Sequence, residues 1–283
     1  MDMGERLAPD PSGDQHLMAD AESARMIVDA AEIAPSDSVL EIGGGLGALS
    51  SELAKRPGKL TILEKDDRYF QALRRRFSSS RNVSVIHGDI LHAPLPEFNK
   101  VVSNPPYSII EGILLRLVRE AAPSMTLLVM TLPYRATLSL SAKPGSPYFN
   151  SLSLLSRAFF EVSVLFKIGP EKFNPPPRVS SFAVRIAMRR LGSGRAAIAQ
   201  LLLQGLFLYP EKKLSNILRD ILWNYGGNFL GKRESKKGAA LLALRIIPNL
   251  KEFGGKPVSA LSRKELAELL SAVDGWLAEE GAE

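Results

Sequence analysis

The stretch that most constrains the fold is a run of glycines between a short apolar segment and an amphipathic one. Residues 38–42 are predicted to form a buried strand, and Gly43, Gly45 and Gly47 follow at alternate positions. Residues 48–55 then have the pattern of a helix. A strand, a tight glycine turn and a helix form the first unit of a doubly wound α/β sheet. The spacing therefore predicts a sheet of this kind with helices on both faces.

Composition narrows the class of partner. The chain has 36 Lys and Arg against 30 Asp and Glu, and the net charge of +6 favours an acidic partner, with nucleic acid first. The absence of cysteine excludes disulfides and thiolate chemistry. Residues 1–14 lack the apolar core of a signal peptide, and no apolar run is long enough to cross a membrane. A cytoplasmic protein without membrane contact is expected.

Acidic residues follow the next two predicted strands. Glu64 ends the strand over residues 59–63, and Asp89 follows the strand over residues 83–87. Because the carboxyl ends of parallel strands meet at one edge of a sheet, both acids are expected beside the glycine turn. There, Glu64 can accept from two ribose hydroxyls, as acids do in NAD enzymes too. Asp89 can accept from an adenine amine while Ile90 packs on the ring, so an adenosine ligand is predicted.

The fourth predicted strand delivers Asn104-Pro105-Pro106-Tyr107 to the same edge, after the apolar run of residues 101–103. Each proline fixes φ and removes a backbone donor. Several carbonyls therefore lie beside few N–H groups, next to a carboxamide and a flat ring. Such a loop suits a planar base that carries an amino group, because acceptors meet its N–H groups and the ring meets its face. An ordinary strand-to-helix turn is the other interpretation.

Two of these motifs resemble those of methyltransferases. The glycine pattern, preceded by Glu41, resembles motif I of the class I S-adenosylmethionine (SAM)-dependent methyltransferases, whereas a dinucleotide fold has G-x-G-x-x-G. Glycines there let the methionyl and ribose parts approach, since a β-carbon would block them. Residues 104–107 resemble motif IV of enzymes that methylate exocyclic amines of bases. The variant with two prolines is usual in DNA adenine and some protein glutamine methyltransferases.

Downstream motifs favour a particular family. They are Ala-Lys-Pro-Gly-Ser-Pro-Tyr at residues 142–148, Phe-Asn-Pro-Pro-Pro-Arg-Val-Ser-Ser at residues 173–181, and a final strand at residues 182–188. Together they closely resemble the small-subunit rRNA adenine N6,N6-dimethyltransferase family (KsgA type), over nearly the whole chain. The resemblance implies SAM-dependent dimethylation of adenine N6 in small-subunit rRNA and a role in small-subunit biogenesis. It implies rRNA or a pre-small-subunit particle as partner, and a monomer is expected.

The family resemblance also implies roles for individual residues. Cofactor contacts are expected from Gln15, His16, Met18, Gly43, Gly45, Glu64, Asp89, Ile90 and Asn104. Catalytic contacts are expected from Asn104, Pro105, Tyr107 and Phe173, with the two aromatic rings enclosing the target adenine. The three histidines are not spaced as metal ligands, so no metal site is expected.

Three departures from the family pattern keep alternatives open. Pro105 stands where an aliphatic residue is usual, residues 108–111 replace a more polar segment, and residues 132–135 replace a Gln-Lys-Glu run. One alternative is a DNA adenine or protein N-methyltransferase. The other is a ribosome-assembly factor that binds RNA and has little or no catalytic activity.

In the C-terminal third, the alternation of strands and helices gives way to helices alone. A linker over residues 190–195 precedes four amphipathic helices, predicted at residues 197–208, 210–223, 235–246 and 262–277. The predicted organisation is a flexible tail at 1–14, a Rossmann-like class I methyltransferase domain at 15–190 and a small all-helical domain at 191–283. Four basic residues of the helical domain are predicted to face RNA: Lys212, Lys213, Lys232 and Arg233.

Overall fold

The strands of the computed structural model alternate with helices along most of the chain. Residues 15–56, 58–121, 124–231 and 234–278 are described. The strands are β1 Leu17–Met18, β2 Ser38–Ile42, β3 Lys59–Glu64, β4 Val83–His87, β5 Lys100–Ser103, β6 Leu127–Pro133, β7 Phe160–Ile168, β8 Phe173–Asn174 and β9 Ser181–Met188. The helices are α1 Ala21–Asp29, α2 Ala48–Leu53, α3 Asp67–Arg76, α4 Ile110–Glu120, α5 Tyr134–Leu140, α6 Ser151–Phe159, α7 Gly194–Leu208, α8 Leu214–Leu230, α9 Lys236–Ile246, α10 Leu250–Phe253 and α11 Arg263–Ala278.

Seven strands form one sheet in the order β4-β3-β2-β5-β6-β9-β7. The pairs β2–β3, β3–β4, β2–β5 and β5–β6 are parallel, and β6–β9 is antiparallel. The chain builds outward from β2 to β4 and then returns to the other side of β2 with β5. The strand order therefore reverses between β2 and β5, which is where ligands bind in open α/β sheets. The predicted α/β sheet is confirmed.

The core of this sheet follows from apolar side chains at helical spacing. Helix α1 buries Ala24, Ile27 and Val28 at intervals of three and one, and helix α2 buries Leu49 and Leu53 at an interval of four. These side chains join strand residues in one hydrophobic cluster. Full burial of each large aliphatic side chain contributes about 1.5–3 kcal/mol relative to exposure. This packing fixes the glycine turn between β2 and α2.

The sequence predicts helix caps at Asp20 and Asp66 and a capping box at Ser262, and the structure confirms all three. The Asp20 carboxylate accepts from the Ser23 N–H at 2.8 Å, and the Asp66 carboxylate accepts from the Arg68 N–H at 2.9 Å. The capping box of Ser262 and Glu265 is also formed, with reciprocal distances of 2.8 and 3.2 Å. Each cap satisfies backbone donors that a helix start leaves without partners.

Helices α1 and α8 differ from their predicted ranges because tertiary hydrogen bonds override the local pattern. The sequence predicts a helix over residues 21–33, but α1 ends at Asp29. The carbonyls of Ala31 and Glu32, which follow the helix end, accept from the Lys100 ammonium at 2.9 and 2.7 Å. Glu32 also adopts a positive φ of 47°, which is incompatible with a continuing helix.

The second boundary error concerns helix α8. It was expected to start at residue 210, where proline suits a first helical turn, and to end at residue 223. It begins instead at Leu214 and runs to Leu230. Backbone groups before and at its start bond to a distant segment: the Pro210 and Lys212 carbonyls accept from the N–H groups of residues 259 and 258, at 2.8 and 3.1 Å. These bonds hold residues 210–213 outside the helix.

The chain divides into two compact units that differ from the predicted domains in one segment. The first contains residues 15–137 and 161–188, and the second contains residues 138–160 and the C-terminal helices from residue 189. Residues 138–160 join the second unit because α6 packs on α7: the rings of Phe159 and Phe207 are 6.2 Å apart, and Gln204 donates to the Ala158 carbonyl at 3.1 Å. The predicted tail at 1–14 lies outside the described residues.

Candidate active site

A cavity of about 280 Å³ opens at the carboxyl ends of the strands, near the point between β2 and β5 where the strand order reverses. We call this point the switch point. It is lined by Gln15, Ile42, Gly43, Leu63, Glu64, Lys65, Asp66, Gly88, Asp89, Ile90, Pro106 and Ile109. Apolar walls with a few charged and amide groups are typical of sites that bind small organic ligands. Five of the residues predicted to contact the cofactor lie here.

The glycines of the turn serve different ends. Gly43 has a φ of 74° and Gly45 a φ of 51°, in a region that side chains with a β-carbon rarely adopt. A β-carbon on Gly43 would meet nothing within 4 Å, so this position leaves open space beside the cavity. A β-carbon on Gly45 would lie 2.8 Å from the Leu17 side chain. Room for a ligand thus explains Gly43, whereas Gly45 makes room for Leu17.

Glu64 is buried at the end of β3 and is tied to the glycine turn. Its Oε2 accepts from the Gly45 N–H at 2.9 Å, and its Oε1 accepts from the Asp66 N–H at 2.8 Å. Burial raises the pKa of Glu64, although these backbone donors favour the charged form. Each oxygen of a carboxylate has about two acceptor positions, so each keeps one for a ligand hydroxyl.

Asp89 presents a charged acceptor at the end of β4. Its Oδ1 accepts from the Leu91 N–H at 2.9 Å, and its Oδ2 lies 2.9 Å from the Lys65 ammonium. Burial disfavours the charged form, but these partners outweigh it and hold the pKa of Asp89 below its ordinary value. Ile90 supplies an apolar surface next to this acceptor. Both residues line the cavity, and their contacts to an adenine amine and ring remain predictions.

The N-terminal segment reaches the cavity through a small two-stranded sheet. Strand β1 pairs antiparallel with β8, with Leu17 opposite Asn174 and Met18 opposite Phe173. This pairing brings Gln15 into the cavity lining. Its Oε1 is buried and has no hydrogen-bond partner among the described residues. A buried acceptor without a partner fits a ligand donor, so the residues at this site fit a nucleoside cofactor.

Two residues predicted for the site lie in the core instead. Met18 and Phe173 belong to the main hydrophobic cluster and are 6% and 3% exposed. Their side chains are covered because β1 and β8 pair with these residues opposite each other. Neither residue lines the cavity. The cofactor contact of Met18 and the stacking role of Phe173 remain predictions, and the latter requires that the ring be uncovered when a base enters.

Asn104 is held by two contacts from outside its motif. Its Nδ2 donates to the His16 carbonyl at 2.8 Å, and its Oδ1 accepts from the Thr131 hydroxyl. His16 in turn lies with its ring centroid 5.5 Å from that of Tyr107, and its Nδ1 donates to the Pro175 carbonyl at 2.9 Å. Neither Asn104 nor His16 lines the cavity itself. Sequence reasoning missed Thr131, although a threonine inside the apolar strand β6 was a usable signal.

The other three residues of the motif lie next to the cavity or in the turn that follows it. Pro105 is buried, Pro106 lines the cavity, and a 3₁₀ turn over Tyr107–Ile109 follows. Tyr107 is half-buried, and its hydroxyl shares a hydrogen bond with Ser181 Oγ. Ser181 had no predicted role, because its contact with Tyr107 spans 74 residues of sequence. Residues from three distant segments, His16, Thr131 and Ser181, therefore contact this loop.

Glu41 is the most unusual buried group near the turn. It is 1% exposed, and neither carboxyl oxygen has a hydrogen-bond partner among the described residues. Burial raises the pKa of Glu41 to about 8; the nearby Ser50 works against the shift without forming a hydrogen bond of good geometry, and the charge of Glu64 adds to it. Glu41 is therefore mainly protonated at neutral pH.

The raised pKa of Glu41 predicts a pH-dependent stability. Between about pH 4.5 and 8 the folded state retains a proton that the unfolded state releases, so the free energy of unfolding falls as pH rises, by up to about 1.4 kcal/mol per pH unit. Glu41→Gln removes this group. In urea unfolding from pH 5 to 9, the free energy of unfolding of the variant should rise relative to that of the wild type up to about pH 8 and stay level above it. A difference in free energy of unfolding that stays constant with pH would contradict the burial of a neutral acid. Glu111→Gln, which changes an exposed glutamate, is the control.

The segment that departs most from the family pattern lies at the end of β6. Leu132 is buried, Pro133 ends the strand, and Tyr134 is 46% exposed. The ring centroid of Tyr134 lies 6.0 Å from that of Phe182 on the neighbouring strand β9. An exposed aromatic ring thus lies in the segment where the resemblance leads us to expect a Gln-Lys-Glu run.

Of the four predicted RNA-facing residues, the structure describes two. Lys212 and Lys213 are exposed and precede α8, and the Lys212 ammonium lies 4.3 Å from the centroid of the Tyr209 ring. Lys232 and Arg233 lie outside the described residues. The described pair stays available for an acidic partner.

Two kinds of feature are absent from the described part of the chain. Within residues 15–56, 58–121, 124–231 and 234–278, no group of three or more His, Asp and Glu side chains is arranged to hold a metal ion. No helix in those ranges is long and apolar enough to span a membrane.

Comparison with known proteins decides the family. The sequence model of a family described as "Ribosomal RNA adenine dimethylase" matches residues 11–222, about three quarters of the chain. This chain belongs to the ribosomal RNA adenine dimethylase family. Members of the family are rRNA adenine dimethyltransferases, an enzyme class that uses SAM. The switch-point cavity is thus the candidate active site of an rRNA adenine dimethylase.

Relatives of this dimethylase are matched over almost their full length. A "Probable ribosomal RNA small subunit methyltransferase A" from Methanococcoides burtonii is 33% identical over 263 residues, 92% of each chain. The protein of the same name from Pyrococcus abyssi is 33% identical over 264 residues, 93% of each chain. The similarity to these relatives therefore extends over the sheet and most of the C-terminal helical unit.

Solved structures agree with this fold. A dimethyladenosine transferase from Plasmodium falciparum has a TM-score of 0.61 at 21% identity, covering 92% of this dimethylase and 98% of that chain. The 23S rRNA methyltransferase ErmE has a TM-score of 0.56 at 24% identity, covering 91% and 99%. At these identities the likeness concerns the fold alone, and it includes the methyltransferase sheet and a C-terminal helical region.

Proposed function

We propose that this protein transfers two methyl groups from SAM to N6 of an adenine in small-subunit rRNA. Membership of the rRNA adenine dimethylase family supports the reaction, and the names of the archaeal relatives support the small subunit as the substrate. The observation that carries the proposal is local. The carboxamide of Asn104 is fixed in the same loop as Pro106, which lines a switch-point cavity whose polar groups suit an adenosine ligand.

The cofactor is assigned to the cavity. Gln15, Gly43, Glu64, Asp89 and Ile90 are proposed to hold SAM, with Glu64 accepting from ribose hydroxyls and Asp89 from the adenine amine. When bound there, SAM supplies a sulfonium methyl that is already activated. The protein then has to align the nucleophile with this methyl group, and alignment alone can raise the rate by several orders of magnitude.

The target amine is assigned to the loop of residues 104–107. Its nitrogen is a weak nucleophile because the lone pair is delocalised into the ring. Acceptance of its hydrogens by Asn104 Oδ1 and the Pro105 carbonyl favours the pyramidal form, and the Asn104 dipole is held by its own hydrogen bonds before positive charge develops. Tyr107 is proposed to stack on the base, which first has to leave its own stack. No strong general base is needed, because the product ammonium is acidic.

The substrate is tested by offering three polymers in parallel. Labelled methyl transfer is measured on unmethylated small subunits, on free rRNA and on DNA. The proposal expects label in small subunits or rRNA and none in DNA. Label only in DNA would favour the alternative that Pro105 suggests. Tight binding to small subunits without label would favour the assembly factor.

RNA binding is expected to depend strongly on salt. Each phosphate contact by a lysine releases counterions, and two contacts account for a slope of about 1.4–1.8 in log Kd against log salt. Lys212→Ala combined with Lys213→Ala should flatten the slope by about that amount, with SAM affinity unchanged. Lys251→Ala with Lys264→Ala makes the same charge change in the helical unit and serves as control. An unaltered slope in the first pair would remove these lysines from the RNA interface.

A further inference from the structure

Two buried hydroxyl groups contact the polar ends of the motif at residues 104–107. Thr131 lies on β6 and Ser181 begins β9, and both residues are 0% exposed. Thr131 donates to Asn104 Oδ1, and Ser181 Oγ shares a hydrogen bond with the Tyr107 hydroxyl. In the antiparallel ladder Thr131 faces Ala183, and Ser181 faces residue 133. The two hydroxyls therefore lie at the same end of adjacent strands.

The surroundings of Asn104 determine which way its carboxamide faces. The His16 carbonyl can only accept, so the amide nitrogen must face it, at 2.8 Å. The amide oxygen then faces Thr131, whose hydroxyl must be the donor. A reversed amide would place two oxygens against each other at His16. One acceptor position of Oδ1 is used by Thr131, and the other remains for an incoming amine.

The ring of Tyr107 is restrained in a similar way. Its hydroxyl is bound to Ser181, and its ring lies beside His16 at a tilt of 37°. A ring held at its outer end has few orientations to lose when a base stacks on it. Restraint of this kind lowers the cost of ordering a site on binding.

We propose that Thr131 and Ser181 are positioning residues for methyl transfer. Thr131 sets the Asn104 oxygen toward the target amine, and Ser181 fixes the face of the Tyr107 ring. Neither residue touches the substrate, so both act through the motif. The inference rests on the proposed function, because it assigns the target base to that motif.

The sharpest test uses Thr131→Val, which keeps the shape of the side chain and removes the donor. Single-turnover methyl transfer at saturating SAM is expected to fall about 10- to 100-fold, as misplaced reacting groups do. Thr131→Ser restores the donor and should recover most of the rate. Ser181→Ala should reduce transfer less, because the Tyr107 ring itself remains. A wild-type rate in Thr131→Val would overturn the proposal.

A control separates positioning from stability. Thr137→Val also removes a buried threonine hydroxyl, but this one donates to the Pro133 and Leu132 carbonyls, at 3.2 and 3.5 Å, rather than to the motif. It should leave transfer close to wild type even where the melting temperature falls. If Thr131→Val and Thr137→Val lose activity only in proportion to stability, and Thr131→Ser gives no rescue, positioning is refuted.

A double-mutant cycle tests whether Thr131 acts through Asn104. In an Asn104→Ala background, Thr131→Val should lower the transfer rate no further. The same cycle is read by urea unfolding, where the contact predicts non-additive stabilities regardless of activity. Additive stabilities would overturn the contact itself. Non-additive stabilities in a protein that methylates no polymer would support the contact and instead overturn the proposed function.

Discussion

Asn104→Ala is expected to reduce single-turnover methyl transfer to small subunits by about 100- to 1,000-fold, the usual cost of removing one preorganised dipole from a transition state. The variant deletes the Oδ1 acceptor proposed for the target amine. It also leaves the Thr131 hydroxyl and the His16 carbonyl without their partner. SAM affinity should fall to a smaller extent, since the family resemblance also gives Asn104 a cofactor contact.

Asn104→Asp separates the acceptor from the amide donor. It retains an oxygen for the target amine, but its second oxygen faces the His16 carbonyl, where the native nitrogen donates at 2.8 Å. Intermediate activity is therefore expected. Ser103→Ala is the matched control, because it removes a buried hydroxyl from the preceding residue that donates to the Ile42 carbonyl at 2.7 Å. Near wild-type transfer by Asn104→Ala would exclude Asn104 from the chemistry.

Tyr107→Ala is expected to reduce transfer by about 5- to 150-fold while SAM affinity stays near wild type. Stacking of one base on one aromatic ring is worth about 1–3 kcal/mol, and each 1.4 kcal/mol is tenfold. Tyr107→Phe retains the ring and loses the hydroxyl that bonds to Ser181, so much of the activity should remain. Stability, SAM affinity and single-turnover transfer are measured on the same variants.

The competing explanation is that Tyr107 only packs its loop. In that case Tyr107→Ala would lower the melting temperature and SAM affinity together, and transfer would fall in proportion. Contact between the Tyr107 and His16 rings makes this alternative concrete, because His16 also holds Asn104 through its carbonyl. A loss of transfer at unchanged SAM affinity distinguishes stacking from packing.

Local patterns were sufficient to predict the sheet and its ligand-binding edge. Glu64 and Asp89 were placed correctly at this edge because each follows a short apolar strand, and parallel strands bring their carboxyl ends together. Glycine spacing was informative for a different reason. The turn depends on φ angles that glycine adopts without strain, at Gly43 and Gly45.

Features that depend on long-range contacts could not be predicted. An aromatic residue before prolines has the same pattern in a core as in a pocket, and only the pairing of β1 with β8 shows that Phe173 is covered. Contacts from Thr131 and Ser181 to the motif span 27 and 74 residues. The start of α8 likewise depends on hydrogen bonds to a segment about 45 residues later.

The most direct measurement is nucleoside analysis by mass spectrometry of small subunits incubated with the protein and SAM. Unmethylated small subunits should yield N6,N6-dimethyladenosine with the wild type and none above background with Asn104→Ala. Dimethyladenosine produced equally by both proteins would separate the reaction from the site described. A methylated base other than adenine, or no methylated nucleoside at all from the wild type, would contradict adenine dimethylation by this protein.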